Sequence, residues 1–233
     1  MFPYGYGYGL DSTMLLLIPA LLLSMWAQTR VQSTFARYSQ VAAHGGVTAD
    51  SVARMLLNRF GLGTMSINHV SGSLTDHYDP QHHTLNLSDS VYGSRSIASI
   101  GVAAHEVGHA IQHSQAYAPL MFRNSIVPVV NIASSASMSL FVIGLMMGSR
   151  LLTNVGILLF VGALVFHLVT LPVELDASSR ALALLRDTGT LSSDELAGAR
   201  SVLNAAAWTY VAAALMAVMQ LVRLIMIRNS RER

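Results

Sequence analysis

The sequence predicts a mainly α-helical membrane protein: about four transmembrane helices and a small α+β domain with a β-hairpin ahead of its central helix. Three observations predict it. Hydrophobic residues make up 52% of the chain and charged residues 11%, where ordinary soluble domains carry about 25% charged residues. Uncharged apolar runs long enough to cross a bilayer recur along the chain. All but one of the nine His fall in a single polar stretch, around His105-Glu106-Val107-Gly108-His109.

Composition also excludes chemistry. There is no Cys, so disulfides, thiolate metal sites and cysteine nucleophiles are out, and any metal site must use His, Asp or Glu. All fourteen basic residues are Arg, so no lysine Schiff base is possible. A net charge of +2, with the Arg residues spread along the chain, argues against nucleic acid as a partner.

Residues 1–12 begin with the Gly/Tyr-rich MFPYGYGYG and read as a flexible tail. Residues 13–29 are apolar. Asp11 before them and Arg30 after them speak for a retained transmembrane helix rather than a cleaved signal peptide, and Trp26 suits an interfacial anchor. Residues 30–123 are the polar domain. Within it, TADSVARMLLNRF (48–60) places Val52, Leu56, Leu57 and Phe60 on one helical stripe, with Thr48 as N-cap and Gly61 and Gly63 as stop. Residues 64–70 alternate like a strand. Leu74–Pro80, a turn at Asp79-Pro80 and Thr84–Ser88 read as a β-hairpin, whose strand 84–88 would be free to pair with an extended peptide. A helix beginning near Ser94 or Ser96 then carries the His motif.

Residues 124–171 hold two apolar runs joined by Gly148-Ser149-Arg150, a transmembrane hairpin. The Asn131 and Ser134–Ser139 cluster suits close helix packing rather than lipid. Residues 172–204 return to polar helical character, residues 205–227 form a last span interrupted by Arg223, and 228–233 are a tail. Arg30, Arg37 and Arg123 place residues 30–123 and 172–204 on the cytoplasmic side. Arg228, Arg231 and Arg233 would then lie outside, against the usual charge pattern. Full crossing by the last run is therefore left open.

His105 and His109 are one helical turn apart and project from one face, so two imidazoles can share an ion. Glu106 stands beside the first and can reach an activated water without ligating the metal. This is the arrangement of a zincin-like catalytic domain, with Glu106 as general base. One Zn2+ per chain is the expected cofactor. Two surface histidines on an ordinary helix are the bland alternative. The small residues Ala103 and Ala104, and Gly108 where a larger side chain would crowd a strand or substrate, favour the metal reading. His113 is about 12 Å from His105 along one helix, too far to share its ion, and reads as a supporting or surface residue. A catalytic zinc takes a third protein ligand. Glu174, at the end of the third apolar run, is either an interfacial carboxylate paired with Arg180 or that ligand, carried back by the hairpin to the side of His105 and His109. We take the ligand reading.

These residues resemble the YugP-type membrane zinc metallopeptidases, also called neutral zinc metallopeptidases. The likeness covers nearly the whole chain and is most specific in Leu74-Thr75-Asp76-His77-Tyr78-Asp79-Pro80, in the helix from Ser94 to Gln112, and in Leu168–Ala177. More distantly the chain is similar to the HtpX and CAAX prenyl peptidase group. The resemblance implies zinc on His105, His109 and Glu174, and catalysis by Glu106. It also implies an Asp four residues after the ligand Glu, buttressing a zinc-bound His. This chain has Ser178 there, and Asp176 lies on another face of the helix.

His77, Tyr78 and Arg180 are candidates to stabilise the oxyanion. The implied activity is a membrane-bound zinc endopeptidase in a prokaryotic cell membrane, its site facing the cytoplasm, acting on membrane proteins or peptides. Rival readings are a site-2-type intramembrane protease with Asp176 as third ligand, an inactive membrane scaffold, and a small transporter using His167 and Arg223.

Overall fold

The structure is a computed structural model, and it describes residues 12–231. All but the last residue of the expected N-terminal tail, together with Glu232 and Arg233, lie outside the described residues. A 3-10 turn over Ser12–Leu17 leads into α1 (Ile18–Ser39). Then follow α2 (Ala49–Arg59), β1 (Ser66–Val70), β2 (His77–Asp79), β3 (Thr84–Ser88), α3 (Ile97–Ser114), α4 (Ala118–Met146), α5 (Arg150–Asp187) and α6 (Ser193–Arg231). Four of these helices are long and apolar enough to cross a membrane: that of residues 13–39, α4, α5 and α6. Their outer faces carry Leu22, Met25, Val129, Ile132, Leu151 and Leu158, all exposed. An apolar surface of that extent needs lipid around it.

Small residues set the helix contacts. In the hairpin, a Cβ on Gly144 would lie 2.5 Å from the Thr153 amide nitrogen, and one on Gly156 would lie 2.7 Å from that of Phe141. The α4 and α5 backbones therefore touch directly, as small-residue pairs allow in membranes. Ser137 is buried in this contact, but Asn131, Ser134, Ser135 and Ser139 are exposed. The polar cluster serves helix packing at one position only, because the α5-facing stripe of α4 runs through Val130, Ala133, Ser137, Phe141 and Gly144. Along α1, Ala20, Ala27 and Thr34 are the buried stripe, and α6 packs against it. Trp26 and Trp208 meet edge to face across this pair, ring centroids 5.5 Å apart, and suit the membrane–water boundary.

The long helices do not stop at the apolar runs. α1 continues to Ser39, α5 runs unbroken through Pro172 to Asp187, and α6 begins at Ser193, well before its apolar stretch. Their polar ends become walls of the extramembrane domain. Ala181, Leu184, Leu185, Leu191, Ala199 and Leu203 join one core with Val52, Leu56 and Leu57 of α2, Leu85 and Leu87 of β3, and Ile100, Val107 and Ile111 of α3. The far end of α6 reaches the hairpin turn: Arg231 donates to the Leu145 carbonyl (3.0 Å) and Arg228 to Asn154 Oδ1 (3.2 Å). α6 thus runs the full length of the hairpin. Arg231 sits beside a C-terminal carbonyl of α4, where a helix favours positive charge.

In the sheet, β3 is the middle strand, parallel to β1 (Ser66↔Thr84 to Val70↔Ser88) and antiparallel to β2 (His77↔Asn86). The expected hairpin is β2–β3. Strand 84–88 is not available to a peptide, because β1 and β2 occupy both of its edges; the free edge toward α3 belongs to β2. Helix α3 starts after Ser96, whose hydroxyl accepts from the Ser99 amide (3.1 Å). Thr48 precedes α2, but its side chain bonds the Ser51 hydroxyl (2.8 Å) rather than a backbone amide.

Candidate active site

The site is built where α3 crosses α5. A Cβ on Gly108 would lie 2.7 Å from the Ala177 carbonyl oxygen and 3.2 Å from its Cα. The missing side chain therefore admits the α5 backbone, not a strand or a substrate as the sequence alone led us to expect. Gly108 lies between His105 and His109, and Ala177 between Glu174 and Ser178. The contact so brings the two one-turn pairs face to face.

His105 Nε2 stands 3.3 Å from Glu174 Oε2, and His109 Nε2 stands 3.4 Å from the same oxygen. The three groups each offer a ligand atom, all within 4.8 Å of one another. A tetrahedral zinc with bonds of about 2.0–2.1 Å holds its ligands about 3.3–3.4 Å apart. The two separations from Glu174 match that spacing, and two imidazoles with a carboxylate converging within 4.8 Å form a donor set that fits a zinc ion.

The outer nitrogen of His109 is held in the tautomer that a metal needs. His109 Nδ1 donates to Gln112 Oε1 (3.0 Å). The Gln112 amide is itself pinned, donating to the Val173 carbonyl (2.9 Å) and to Asp176 Oδ2 (2.7 Å). The lone pair of His109 Nε2 is thereby left free for an ion. His105 Nδ1 lies 3.1 Å from the Ser178 hydroxyl. Ser178 therefore buttresses His105 from one turn beyond Glu174, and Asp176 supports His109 through Gln112. Burial pushes the basicity of His109 down, but the carboxylates of Glu174 and Glu106 outweigh it and hold its pKa above the ordinary value. The same field draws a cation. Partners of metal-bound histidines commonly contribute about 10–100-fold in affinity. Ser178→Ala is accordingly expected to weaken zinc binding by a factor at the lower end of that range, measured by competition with a chelator.

Glu106 is buried and accepts the Tyr78 amide on Oε2 (2.9 Å). This N–H points away from β3 because its neighbours His77 and Asp79 face the ladder. Around the trio lie two adjoining clefts of about 180 and 160 Å³, both lined by Asp76, His105, Glu106, Glu174 and Tyr210. Burial raises the pKa of Asp76, while the Ser88 amide and hydroxyl bond its carboxylate and oppose the rise (2.7 and 2.9 Å). Asp76 thereby ties the strand entering the site to the end of β3.

The remaining candidates are placed otherwise. His77 reaches the cleft wall, but its ring nitrogens are engaged by the Thr75 carbonyl (2.9 Å) and Asn86 (3.2 Å). The Tyr78 hydroxyl turns to His113 Nδ1 (2.7 Å), which makes His113 a brace for β2. Arg180 bonds Asp176 and the Gln115 side chain, away from both clefts, and does not pair with Glu174. Asp176 itself stands outside the trio. Two residues that sequence reasoning missed surround Glu174. Arg123 donates to Glu174 Oε1 (3.0 Å), and the Tyr210 hydroxyl faces the same carboxylate. The available signals were a lone Arg at the mouth of an apolar run and a polar ring inside another. Gln112, fully buried one turn after the motif, is the third omission.

The model of a family described as "Putative neutral zinc metallopeptidase" matches residues 13–229. The chain belongs to this family. It is also 48% identical over 212 residues to the "Putative membrane protease YugP" of Bacillus subtilis (strain 168), covering 91% of this chain and 94% of that one. No solved structure matches it. A zinc metallopeptidase family and a His105–His109–Glu174 cluster able to hold a metal are thus found together in a chain with four apolar helices.

Proposed function

We propose that this protein is a membrane-bound zinc endopeptidase that cuts membrane proteins or membrane-associated peptides, with one zinc on His105, His109 and Glu174. The observation that carries the reading is the convergence of those three groups, with Glu174 Oε2 3.3 and 3.4 Å from the two histidine nitrogens and Glu106 beside the cluster and not in it. When bound, zinc lowers the pKa of a water toward neutrality and polarises the scissile carbonyl. Glu106, held through one oxygen by the Tyr78 amide, keeps the other oxygen for the proton of the attacking water and passes that proton to the leaving amine. Arg123 holds the distal oxygen of Glu174 and keeps the carboxylate turned toward the histidines. Asp176 as third ligand is disfavoured by its bonds to Gln112 and Arg180. The Arg distribution argues for a cytoplasm-facing site in a prokaryotic cell membrane.

The test is metal content in detergent-purified protein. Wild type should carry about one zinc, and Glu174→Gln should lose most of it because a neutral amide ligates zinc poorly. Zinc retained in Glu174→Gln would remove this residue from the ligand set. Zinc absent from well-folded wild type would remove the peptidase reading.

Tyr210 is the side chain best placed to stabilise the oxyanion, since it lines both clefts together with Glu106 and its hydroxyl faces the Glu174 carboxylate. Loss of one such donor costs about 10²–10³-fold in kcat. Tyr210→Phe should therefore show a lowered kcat with zinc content and KM little changed. A rise in KM alone would assign Tyr210 to substrate binding.

A further inference from the structure

Below the metal site a second cavity, of about 580 Å³, lies among the membrane helices. Ser24 and Gln28 of α1, Ser134 and Met138 of α4, His167 of α5 and Gln220 of α6 are among its walls. It follows the same seam as the active-site cleft. On α1, Ser24 and Gln28 line the cavity and Val31 and Phe35 line the cleft, four positions on one helical stripe. On α6 the cleft is lined as far as Tyr210 and the cavity from Thr209 onward. The Trp26–Trp208 pair marks the membrane boundary where the two meet. From Tyr210 to Gln220 the helix rises about 15 Å, half of a hydrocarbon layer about 30 Å thick.

The cavity has an open side. α1 packs on α6, α6 on α5 and α5 on α4, in a row whose two ends share at most a marginal contact. Between α1 and α4 the cavity faces the bilayer. Its lining has no charged group, but it does have amides. The side chains of Gln28 and Gln220 make no hydrogen bond among the described residues, although Gln220 lies within the apolar span of α6 and Gln28 at the boundary marked by Trp26. The hydroxyls of Ser24, Ser134 and Thr209 donate to their own helices and leave lone pairs toward the cavity.

We propose that this cavity is the subsite for the membrane-embedded segment of a protein substrate, entering between α1 and α4, so that the peptide bond cut lies within a few residues of the membrane boundary. The proposal rests on the peptidase reading above and deepens it. A peptide is the occupant that uses the polar lining. Where its helix unwinds to reach the site, freed backbone N–H and C=O groups need partners that hydrocarbon does not supply. Gln28 and Gln220 can serve both kinds, and an acyl chain would have no use for either. Polar groups facing such a cavity in a membrane protein mark a functional path.

The chain has no Cys, so Ala213→Cys on the cavity wall gives one attachment point for a benzophenone maleimide. The full-length Glu106→Gln protein in liposomes would be irradiated with synthetic single-span peptides, each an apolar segment bearing a polar tail. The proposal expects saturable adducts at the tail-proximal end of the span and none with the polar tail alone. Ala163→Trp, which fills the opposite wall, should cut labelling about tenfold or more while zinc stays bound. Labelling no stronger than from Val129→Cys on the outer face of α4, or insensitive to Ala163→Trp, overturns the proposal; so do adducts to lipid only. No turnover is needed. A saturable adduct beside an inactive wild type would therefore sink the peptidase reading and leave the subsite standing.

Discussion

Glu106→Gln is expected to keep about one zinc per chain and to lose peptidase activity by about 10²–10⁴-fold in kcat, the share that a positioned base contributes. The substitution preserves shape. The amide oxygen of Gln can still accept the Tyr78 N–H that Glu106 Oε2 accepts at 2.9 Å, so β2 keeps its place against α3. What is lost is the ability to take a proton from water and return it to the amine. KM should change little, because the carboxylate acts on the reacting atoms rather than on the bound peptide. The measurement is zinc content beside kcat on an unfolded protein substrate, for wild type and variant purified together. A variant that loses its zinc would make Glu106 part of the metal's own shell. A variant that keeps its activity would move the base elsewhere, with Asp76 the nearest remaining carboxylate lining the cleft.

Gly108→Val should empty the metal site while leaving most of the helical structure in place. Its Cβ would lie 2.7 Å from the Ala177 carbonyl oxygen and 3.2 Å from the carbonyl carbon and Cα. These are backbone atoms in the middle of a 38-residue helix, so no side chain can swing aside. α3 and α5 must separate, and Glu174 leaves the histidines. The Glu174 oxygen now lies 3.3–3.4 Å from the two histidine nitrogens, and tetrahedral zinc tolerates little deviation from that spacing. Overpacking of this kind costs about 1–3 kcal/mol in stability, which lowers the melting temperature without abolishing the fold. Gly108→Ala should fall between wild type and Val. Gly162→Ala is the control: it sits in the same α5, and a Cβ there meets nothing within 4 Å. Zinc bound by Gly108→Val with wild-type affinity would show that the crossing does not set the ligand geometry.

The contrast between these two residues shows where reading a sequence ends. Glu106 is legible because its proposed role follows from its place in a one-turn repeat: His105, Glu106 and His109 have fixed relative directions on any helix. The four spans are legible for a similar reason, since hydrocarbon demands long apolar helices whatever surrounds them. Gly108 was noticed, but its purpose was misjudged. Nothing local says that the object filling the space above it is the backbone of α5, 69 residues further on (177 minus 108). Strand 84–88 was misjudged as a free edge for the same reason. Its alternation reveals a strand but not that β1 returns parallel on its far side.

Residue types and helical periodicity by themselves determined the two-histidine motif, the glutamate proposed as its base, the apolar spans and the carboxylate best suited to complete the ligand set. These depend on chemistry within one or two turns of chain. Only the tertiary structure decided what holds the motif in working order: Ser178 behind His105, the Gln112–Asp176 bridge behind His109, Arg123 on the distal oxygen of Glu174, and Tyr210 across the cleft. These residues are drawn from α3, α4, α5 and α6. Their positions are set by small-residue contacts between backbones, whose geometry depends on the partner surface as much as on the residue itself.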